Sequence, residues 1–220
     1  MTKTIIYYSS GREKGDFEER VQDNILRISG DLDIISVSQY PLEFGYNICV
    51  GDVGVSGFNM YRQVQIACEA ATGDFIISTE ADCLYPPDYF RFTPDRLDIP
   101  YRDTNLYVMP DARDYFFYKK EGASHAQIVG REFYLKRLNE LFTGAPKWST
   151  EEKNFPRERG LGVDVFKEFA YFRSDNPVVQ IKTHKGMRYH THSDRNPITE
   201  LPYWGEGTKV RALYLHGKAV

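Results

Sequence analysis

Short apolar runs alternate with segments of helical periodicity through the first third of the chain. Residues 4–8 form a compact apolar run that ends at Ser9, Ser10 and Gly11, which predicts a buried strand followed by a turn. Apolar residues then recur at helical spacing over 17–28, after Asp16, a residue type suited to capping a helix. The pattern predicts one strand and one helix, in that order.

The same alternation continues to residue 78. Apolar runs at 34–37, 48–50 and 75–78 predict three further strands. A Gly-rich stretch at 51–57 leads into a second helix with one apolar side, formed by Met60, Val64, Ala67 and Ala71. The order strand, helix, strand, strand, helix, strand predicts an α/β fold with a parallel-rich mixed central sheet flanked by helices.

The second half has a more mixed pattern, and no linker or repeat separates it from the first. Strands are expected at 106–109 and 115–118, and residues 127–129 lead into a helix whose apolar face includes Tyr134 and Leu138. The polar stretch 147–158 is expected to be a loop, and 178–182 with 187–192 to form a hairpin. We therefore expect one domain, residues 1–220.

Composition removes several classes of function. Apolar residues make up 41% and charged residues 27% of the 220, as in ordinary globular proteins, and the formal charge of −3 gives no general attraction to nucleic acid or anionic lipid. Three scattered cysteines favour reduced thiols and a cytoplasmic location. No apolar run approaches the ~20 residues that span a bilayer, and no signal peptide is evident.

Two carboxylates stand at the end of the predicted strand at 75–78. Glu80 and Asp82 fall at the carboxyl end of this strand, the edge at which open α/β sheets bind ligands. Two neighbouring carboxylates are costly unless a positive charge lies between them or water solvates them. A Mn²⁺ or Mg²⁺ ion satisfies the first condition, and an acidic loop in water satisfies the second.

The start of the second predicted helix is suited to an anion. A Gly-rich loop before a helix presents free backbone N–H groups to a ligand, and Asn59 lies in this first turn. Arg62 adds a permanent charge with a planar fork suited to phosphate oxygens. The alternative for Arg62 is an ordinary surface position.

The segment from Ser56 to Phe90 resembles the core of the GT-A glycosyltransferases, particularly the family-2-like group. These enzymes have an Arg-Asn helix start, an alanine-rich helix, an Ala-x-Gly-Asp segment and a D-x-D motif followed by proline. The corresponding elements of this chain are Arg62-Gln63, residues 67–71, residues 71–74, Glu80-Ala81-Asp82 and Pro86-Pro87. Glu80 stands where the usual first aspartate would be, and Gln63 replaces the usual asparagine.

The resemblance implies transfer of a sugar from a nucleotide diphosphate sugar, such as a UDP-sugar, to an acceptor hydroxyl. By this resemblance residues 1–100 hold the donor, and 101–220 provide the acceptor half and a closing segment. Asp82 would ligate Mn²⁺ or Mg²⁺, and Glu80 would contact the metal or the ribose. Ser9, Ser10 and Arg12 would hold the nucleotide, although an ordinary polar turn explains each of them equally well.

Residues 127–133 also resemble the family, in which an acidic residue beyond the next helix deprotonates the acceptor. The candidates for this catalytic base are Glu151, Glu152 and Asp164. Solvated loop acids are the simpler explanation of these residues, and an enzyme that retains anomeric configuration needs no such base.

His190 and His192 lie on one face of a predicted strand, a spacing that can chelate a metal. In the glycosyltransferase interpretation one of them completes the metal shell, and Trp204 covers the donor as a loop closes. A metal-dependent hydrolase that uses the histidine pair, and a nucleotidyltransferase, are the alternatives. The simplest structure is a surface hairpin with Trp204 packed on the sheet.

The acceptor is not identified by the sequence. Stand-alone domains of the resembled family occur in bacteria and bacteriophages, where they act on saccharides, lipid-linked glycans, proteins or, in some viruses, hydroxymethylated DNA bases. The acidic net charge disfavours DNA for this chain.

Overall fold

The structure is a computed structural model that describes residues 1–13, 15–119, 122–151, 165–186 and 193–218. The described strands are β1 (Lys3–Ser9), β2 (Asp33–Ser38), β3 (Tyr46–Cys49), β4 (Phe75–Glu80), β5 (Cys83–Leu84), β6 (Tyr101–Asp103), β7 (Leu106–Pro110), β8 (Phe117–Tyr118), β9 (Gln127–Gly130), β10 (Ala170–Phe172), β11 (Val178–Lys182), β12 (Glu200–Leu201) and β13 (Gly205–Glu206). The helices are α1 (Gly15–Ile28), α2 (Gly57–Ala70), α3 (Pro87–Arg91), α4 (Arg131–Leu141) and α5 (Gly207–Val210), with a 3₁₀ turn at Ser124–Ala126 and a π-helical turn at Arg211–Leu215.

A seven-stranded sheet of order β3-β2-β1-β4-β9-β6-β10 forms the centre of the fold. β1 pairs in parallel with both β2 and β4, and β2 pairs in parallel with β3. β9 lies antiparallel between β4 and β6, and β10 runs parallel to β6. The predicted α/β class with a parallel-rich mixed sheet flanked by helices is confirmed.

Alternation along β1 explains why helices cover both faces of this sheet. Ile5 and Tyr7 belong to the apolar cluster that includes α1, whereas Ile6 and Tyr8 belong to the cluster that includes α2 and α4. Successive side chains of a strand point to opposite faces, so an apolar run without polar interruptions must be buried on both. The continuous run at 4–8 is therefore typical of a central strand.

A second, four-stranded sheet has the order β5-β11-β7-β8. The predicted strands at 106–109 and 178–182 are confirmed as β7 and β11, which pair in parallel with each other. Strand β8 is shorter than the expected 115–118. The proposed hairpin partner of β11, residues 187–192, lies outside the described residues.

The chain order creates a crevice at one edge of the central sheet. From β1 the chain builds outward through β2 and β3, and then returns to place β4 on the other side of β1. Where the connections after two neighbouring strands run to opposite sides of the sheet, a gap opens at the carboxyl ends of these strands. Sheets of this kind bind their ligands in that gap. Here that gap lies between the ends of β1 and β4.

One buried side chain ties α2 to this edge. Gln63, 2% exposed, donates its amide Nε2 to the carbonyl of Ser9 at 2.9 Å and to the carbonyl of Val37 at 2.8 Å. These carbonyls belong to the ends of β1 and β2. Gln63 therefore fixes the two strand ends relative to the helix.

Replacing Gln63 with Met should lower the free energy of unfolding by about 2 kcal/mol or more, because an unsatisfied buried polar group costs about 1–3 kcal/mol. Urea unfolding of the two proteins measures the difference. Gln65→Met is the matched control. Gln65 bonds the side chains of Arg62 and Asn139, which can turn toward water. An equal loss in both variants would contradict the role of Gln63.

Candidate active site at the carboxyl edge

Glu80 ends β4 directly opposite Tyr8 of β1. The hydroxyl of Tyr8 donates to Glu80 Oε1 at 2.8 Å, and the backbone N–H of Glu80 donates to the hydroxyl of Tyr85 at 3.0 Å. Burial, followed by the neighbouring charge of Asp82, raises the pKa of Glu80 to about 7. The strand pairing thus places a poorly solvated carboxyl group at the crevice.

Asp82 is held by β11 of the second sheet. Its carboxylate accepts from Gln180 Nε2 at 3.1 and 3.3 Å and lies 3.9 Å from Lys182 Nζ, while its carbonyl accepts the N–H of Ile181 at 2.8 Å. Gln180 and Lys182 share one side of β11 because side chains alternate along a strand. The acidic pair therefore has a lysine beside it.

A second lysine lies near the same group. Burial lowers the pKa of the half-buried Lys119, and the nearby charge of Lys182 lowers it further. Cys83, Glu80 and Asp82 raise this pKa but do not outweigh burial. Two amines and two carboxyl groups therefore share one poorly solvated region. This arrangement contrasts with the acidic loop in water that the sequence left open.

The loop after β1 is joined to the same region. Glu13 accepts the hydroxyl of Thr183 at 2.8 Å on both carboxylate oxygens, and Thr183 directly follows Lys182. Burial raises the pKa of Glu13 to about 7. The loop that contains Ser9, Ser10 and Arg12 therefore reaches the strand that holds Asp82.

Ser9 is part of the turn itself. Its Oγ accepts the N–H of Gly11 at 3.1 Å, and Gly11 has a φ of +69° with its α-carbon against the ring of Tyr40. Ser10 is partly exposed and Arg12 is exposed at this edge. The three predicted nucleotide contacts lie together beside the crevice, and their role in binding stays a prediction.

Asn59 is used within the protein. Its Nδ2 donates to the carbonyls of Val53 (2.6 Å) and Gly54 (2.9 Å), and its Oδ1 accepts the N–H of Ser149 (2.8 Å). Ser56 caps α2 by accepting the N–H of Asn59, and its own hydroxyl donates to the carbonyl of Ser149. The helix start therefore contacts a neighbouring loop, and Asn59 joins this loop to the Gly-rich one. Its predicted contact with the donor stays a prediction.

Arg62 has its contacts beside the end of α4, and its predicted contact with the diphosphate stays a prediction. Its guanidinium lies 3.8 Å from the ring centre of Phe142 and donates to the carbonyl of Pro146 at 2.7 Å. Phe142 and Pro146 follow α4. These contacts pack the side chain of Arg62 between α2 and the segment that follows α4.

Trp204 is also held away from the other predicted residues. Its indole Nε1 donates to the carbonyl of Pro177 at 2.6 Å, and its ring packs edge-on against Tyr203 and Tyr214. Pro177 directly precedes β11, and Lys182 is the last residue of this strand. The two residues are therefore about 16 Å apart along the strand, so Trp204 lies near the end of β11 that is farther from Lys182. The simpler expectation, in which Trp204 is packed, agrees with these contacts, and its predicted role in covering the donor stays a prediction.

Of the three acidic candidates for the catalytic base, only Glu151 lies among the described residues. Glu151 is exposed, and its N–H donates to Ser149 Oγ at 3.1 Å near the start of α2. Glu152, Asp164, His190 and His192 lie outside the described residues, so their roles stay predictions.

Several site residues were missed by the sequence analysis. Gln180 and Lys182 interrupt an otherwise apolar strand with polar side chains on one side, and this signal was available in the sequence. Lys119, Glu13 and Tyr8 had no comparable signal, because only the pairing of distant segments brings them to the crevice.

Among the described residues, the structure has no helix that combines the length and apolar character needed to cross a membrane. No protein-family model and no curated protein sequence matches the chain.

Solved structures do resemble it. S. aureus TarS residues 1–349 in complex with UDP-GlcNAc has 10% identity and a TM-score of 0.46, with coverage of 100% of this chain and 68% of that one. The mannosyltransferase PcManGT from Pyrobaculum calidifontis, in complex with GDP-Man and Mn²⁺, has 15% identity and a TM-score of 0.45, with coverage of 84% and 58%. The bifunctional IspDF from Campylobacter jejuni has 12% identity and a TM-score of 0.37, with coverage of 70% and 46%.

The chain thus spans about half the length of the last two of these proteins. A mannosyltransferase is among the similar structures. At these identities and TM-scores the similarity assigns no activity. The fold and site define an α/β protein with two carboxyl groups at the switch point of its parallel strands, the position at which sheets of this kind bind ligands.

Folding raises the pKa of Glu13 from 4.5 to about 7. The contribution of Glu13 to the free energy of unfolding should therefore decrease as the pH rises through this range. In this window the folded protein keeps a proton that the unfolded chain releases. Glu13→Gln should reduce the difference in unfolding free energy between pH 5 and pH 7.5 by about 1–2 kcal/mol, after allowance for the exposed part of the side chain. Glu43→Gln, at an exposed position, is the control. Identical pH profiles for Glu13→Gln and the wild type would contradict this assignment.

Arg62→Ala should lower stability by about 1–2 kcal/mol, because it removes a ring contact and a charge-assisted hydrogen bond. It should leave the ratio of nucleotide diphosphate to nucleoside affinity unchanged. Thermal unfolding and calorimetric titration measure the two quantities. A selective loss of diphosphate affinity would restore the original assignment of Arg62 to the donor.

Proposed function

We propose that this protein is a glycosyltransferase that moves a sugar from a nucleotide diphosphate sugar to an acceptor hydroxyl with the help of Mn²⁺ or Mg²⁺. The observation that carries the proposal is the position of Glu80 and Asp82. They stand at the carboxyl end of β4, beside the gap between β4 and β1, with the loop after β1 next to them.

The surroundings of the pair support a charged ligand. Lys182 lies 3.9 Å from Asp82, and Lys119 belongs to the same poorly solvated group. A departing diphosphate carries negative charge, and amines in a site with little water stabilise such charge more strongly than amines in bulk solvent. Lys119 and Lys182 are thus suited to contact the phosphate oxygens, and the exposed Arg12 lies on the neighbouring loop.

The chemistry of the donor set fits a hard divalent cation. Glu80 and Asp82 offer carboxylate oxygens, the ligands that Mn²⁺ and Mg²⁺ prefer. Gln180 lies against Asp82, and its buried Oε1 has no hydrogen-bond partner among the described residues, so it can accept from a metal-bound water. When bound, such a cation neutralises charge on the leaving diphosphate.

The remaining roles follow from position. Ser10 and Arg12 are suited to the nucleotide because they lie at the crevice and are at least partly exposed. Glu151 is the described candidate for a base that removes the acceptor proton, and Glu152 and Asp164 remain candidates outside the described residues. A saccharide is the acceptor class to test first, since the acidic net charge disfavours DNA.

Calorimetric titration of UDP and GDP in the presence of Mn²⁺, and again in chelator, tests the proposal. At least one nucleotide diphosphate should bind in Mn²⁺, and Asp82→Asn should weaken that binding tenfold or more, because a hydrogen bond or metal contact to a charged group is worth about 1.5–3 kcal/mol. Asp33→Asn is the matched control. Asp33 is an exposed aspartate at the opposite end of the parallel strands, so the Asp33→Asn variant should bind the nucleotide diphosphate as tightly as the wild type.

Loss of binding counts only if Asp82→Asn keeps the far-ultraviolet circular dichroism and cooperative unfolding of the wild type. Affinity of the wild type that is the same in Mn²⁺ and in chelator would refute metal dependence. Absence of binding to every nucleotide diphosphate, together with no sugar transfer from any nucleotide sugar, would refute the function.

A further inference from the structure

Three potential metal ligands of different chemistry lie close together, and one of them, Glu80, belongs to the carboxylate pair. Glu80 ends β4, Cys83 begins β5, and His125 lies in the 3₁₀ turn before β9. One ligand atom from each lies within 4.8 Å of the others. Cys83 is fully buried and His125 is 4% exposed. Three separate segments of the chain therefore bring a carboxylate, a thiol and an imidazole together.

Two tyrosines hold these groups in place. The hydroxyl of Tyr85 donates to the carbonyl of His125 at 2.8 Å and accepts the N–H of Glu80, so a single ring fixes the backbone at two of the three positions. Tyr8 donates to the carboxylate of Glu80. Outer partners of this kind orient the ligands of metal sites in proteins.

The ligand set differs from the one that Mn²⁺ or Mg²⁺ prefers. A thiolate, an imidazole and a carboxylate are the ligands of Zn²⁺ and similar transition metals. Metal–ligand bonds of about 2.0–2.3 Å place tetrahedral ligands about 3.3–3.8 Å apart. Because the three ligand atoms lie within 4.8 Å of one another, no pair has to approach by more than about 1.5 Å.

We infer that Glu80, Cys83 and His125 form a binding site for a transition metal of the Zn²⁺ type, with one coordination position open. On binding, the S–H bond of Cys83 breaks, a metal–sulfur bond forms, and the proton passes to solvent. Three protein ligands and one open position are typical of zinc sites that bind a further small ligand.

The charges that face this site are mixed. Lys119, Lys182 and Arg102 oppose a cation, and all three lower the pKa of His125 further than burial alone. Burial, followed by the charges of Asp82 and Glu80, raises the pKa of the Cys83 thiol, so the metal must displace its proton. Asp82 accepts a hydrogen bond from the thiol of Cys83 at 3.2 Å and pairs with Lys182. Burial keeps the imidazole uncharged, which is the form that binds a metal.

The inference does not depend on glycosyl transfer, although the two sites share Glu80. A Zn²⁺ ion at the inferred site withdraws Glu80 from Mn²⁺. If both sites exist, Zn²⁺ at one equivalent should weaken Mn²⁺-dependent nucleotide binding.

Titration with Co²⁺, a spectroscopic substitute for Zn²⁺, tests the site directly. One equivalent should produce a thiolate-to-cobalt charge-transfer absorption in the near ultraviolet, and Zn²⁺ should abolish it by displacement. Cys83→Ser should remove the band, and His125→Asn should weaken Co²⁺ binding at least tenfold. Cys49→Ser is the matched control, because its thiol is exposed on β3. That variant should keep the band.

Because Cys83 and His125 are buried, each variant is first checked for cooperative unfolding. X-ray absorption of the wild type with one equivalent of Zn²⁺ provides a measurement that needs no variant, and it should detect one sulfur among the ligands. Absence of a charge-transfer band in the wild type, a band that persists in folded Cys83→Ser, or a zinc shell without sulfur would each overturn the inference.

Asp82→Asn separates the inference from the proposed function. This variant should keep the cobalt band while it loses Mn²⁺-dependent nucleotide binding. A wild type with Mn²⁺-dependent nucleotide binding but no cobalt band would refute this site alone. A cobalt band without any nucleotide binding or any sugar transfer would refute the proposed function alone.

Discussion

The pairing of β4 with β1 leaves a carboxyl group at the end of a strand that is buried on both faces, and the rest of the site is built around this constraint. Glu80 lies opposite Tyr8 and receives its hydroxyl hydrogen bond. Asp82, two residues later, takes its partners from β11 of the other sheet. Poorly solvated carboxyl groups are tolerated only with such partners. The acidic pair therefore depends on the contact between the two sheets.

The loops around the crevice are fixed mainly by side-chain amides. Gln63 bonds the strand ends of β1 and β2, and Asn59 joins the Gly-rich loop to the loop at Ser149. Gln39 donates to the carbonyl of Gly54 and accepts the N–H of Val53. Amides suit this work because one group donates and accepts at the same time. The loops that would contact a donor are thus largely ordered before it binds.

The site has two kinds of donor atom near Glu80. Asp82 and Gln180 offer oxygen, and Cys83 and His125 offer sulfur and nitrogen. Hard cations favour the first set and transition metals favour the second. Lysines beside both sets reduce the attraction for any cation and add attraction for an anion. A nucleotide diphosphate with its metal satisfies both tendencies, which is the physical basis of the proposed function.

The sequence by itself determined the α/β class, the first four strands, the helices between them, and the carboxylate pair at a strand end. These features follow from local periodicity and from two residues close together in the chain, so no distant contact was needed to find them. The structure gives Arg62, Asn59 and Trp204 partners within the protein that the sequence did not indicate, because a suitable residue type near a suitable element does not fix where its side chain points. Only the tertiary structure brought Glu13, Lys119, Gln180, Lys182 and His125 to Glu80 and Asp82. These residues are far apart in the sequence, and their approach depends on how the strands of the two sheets pair and on the contact of Glu13 with Thr183.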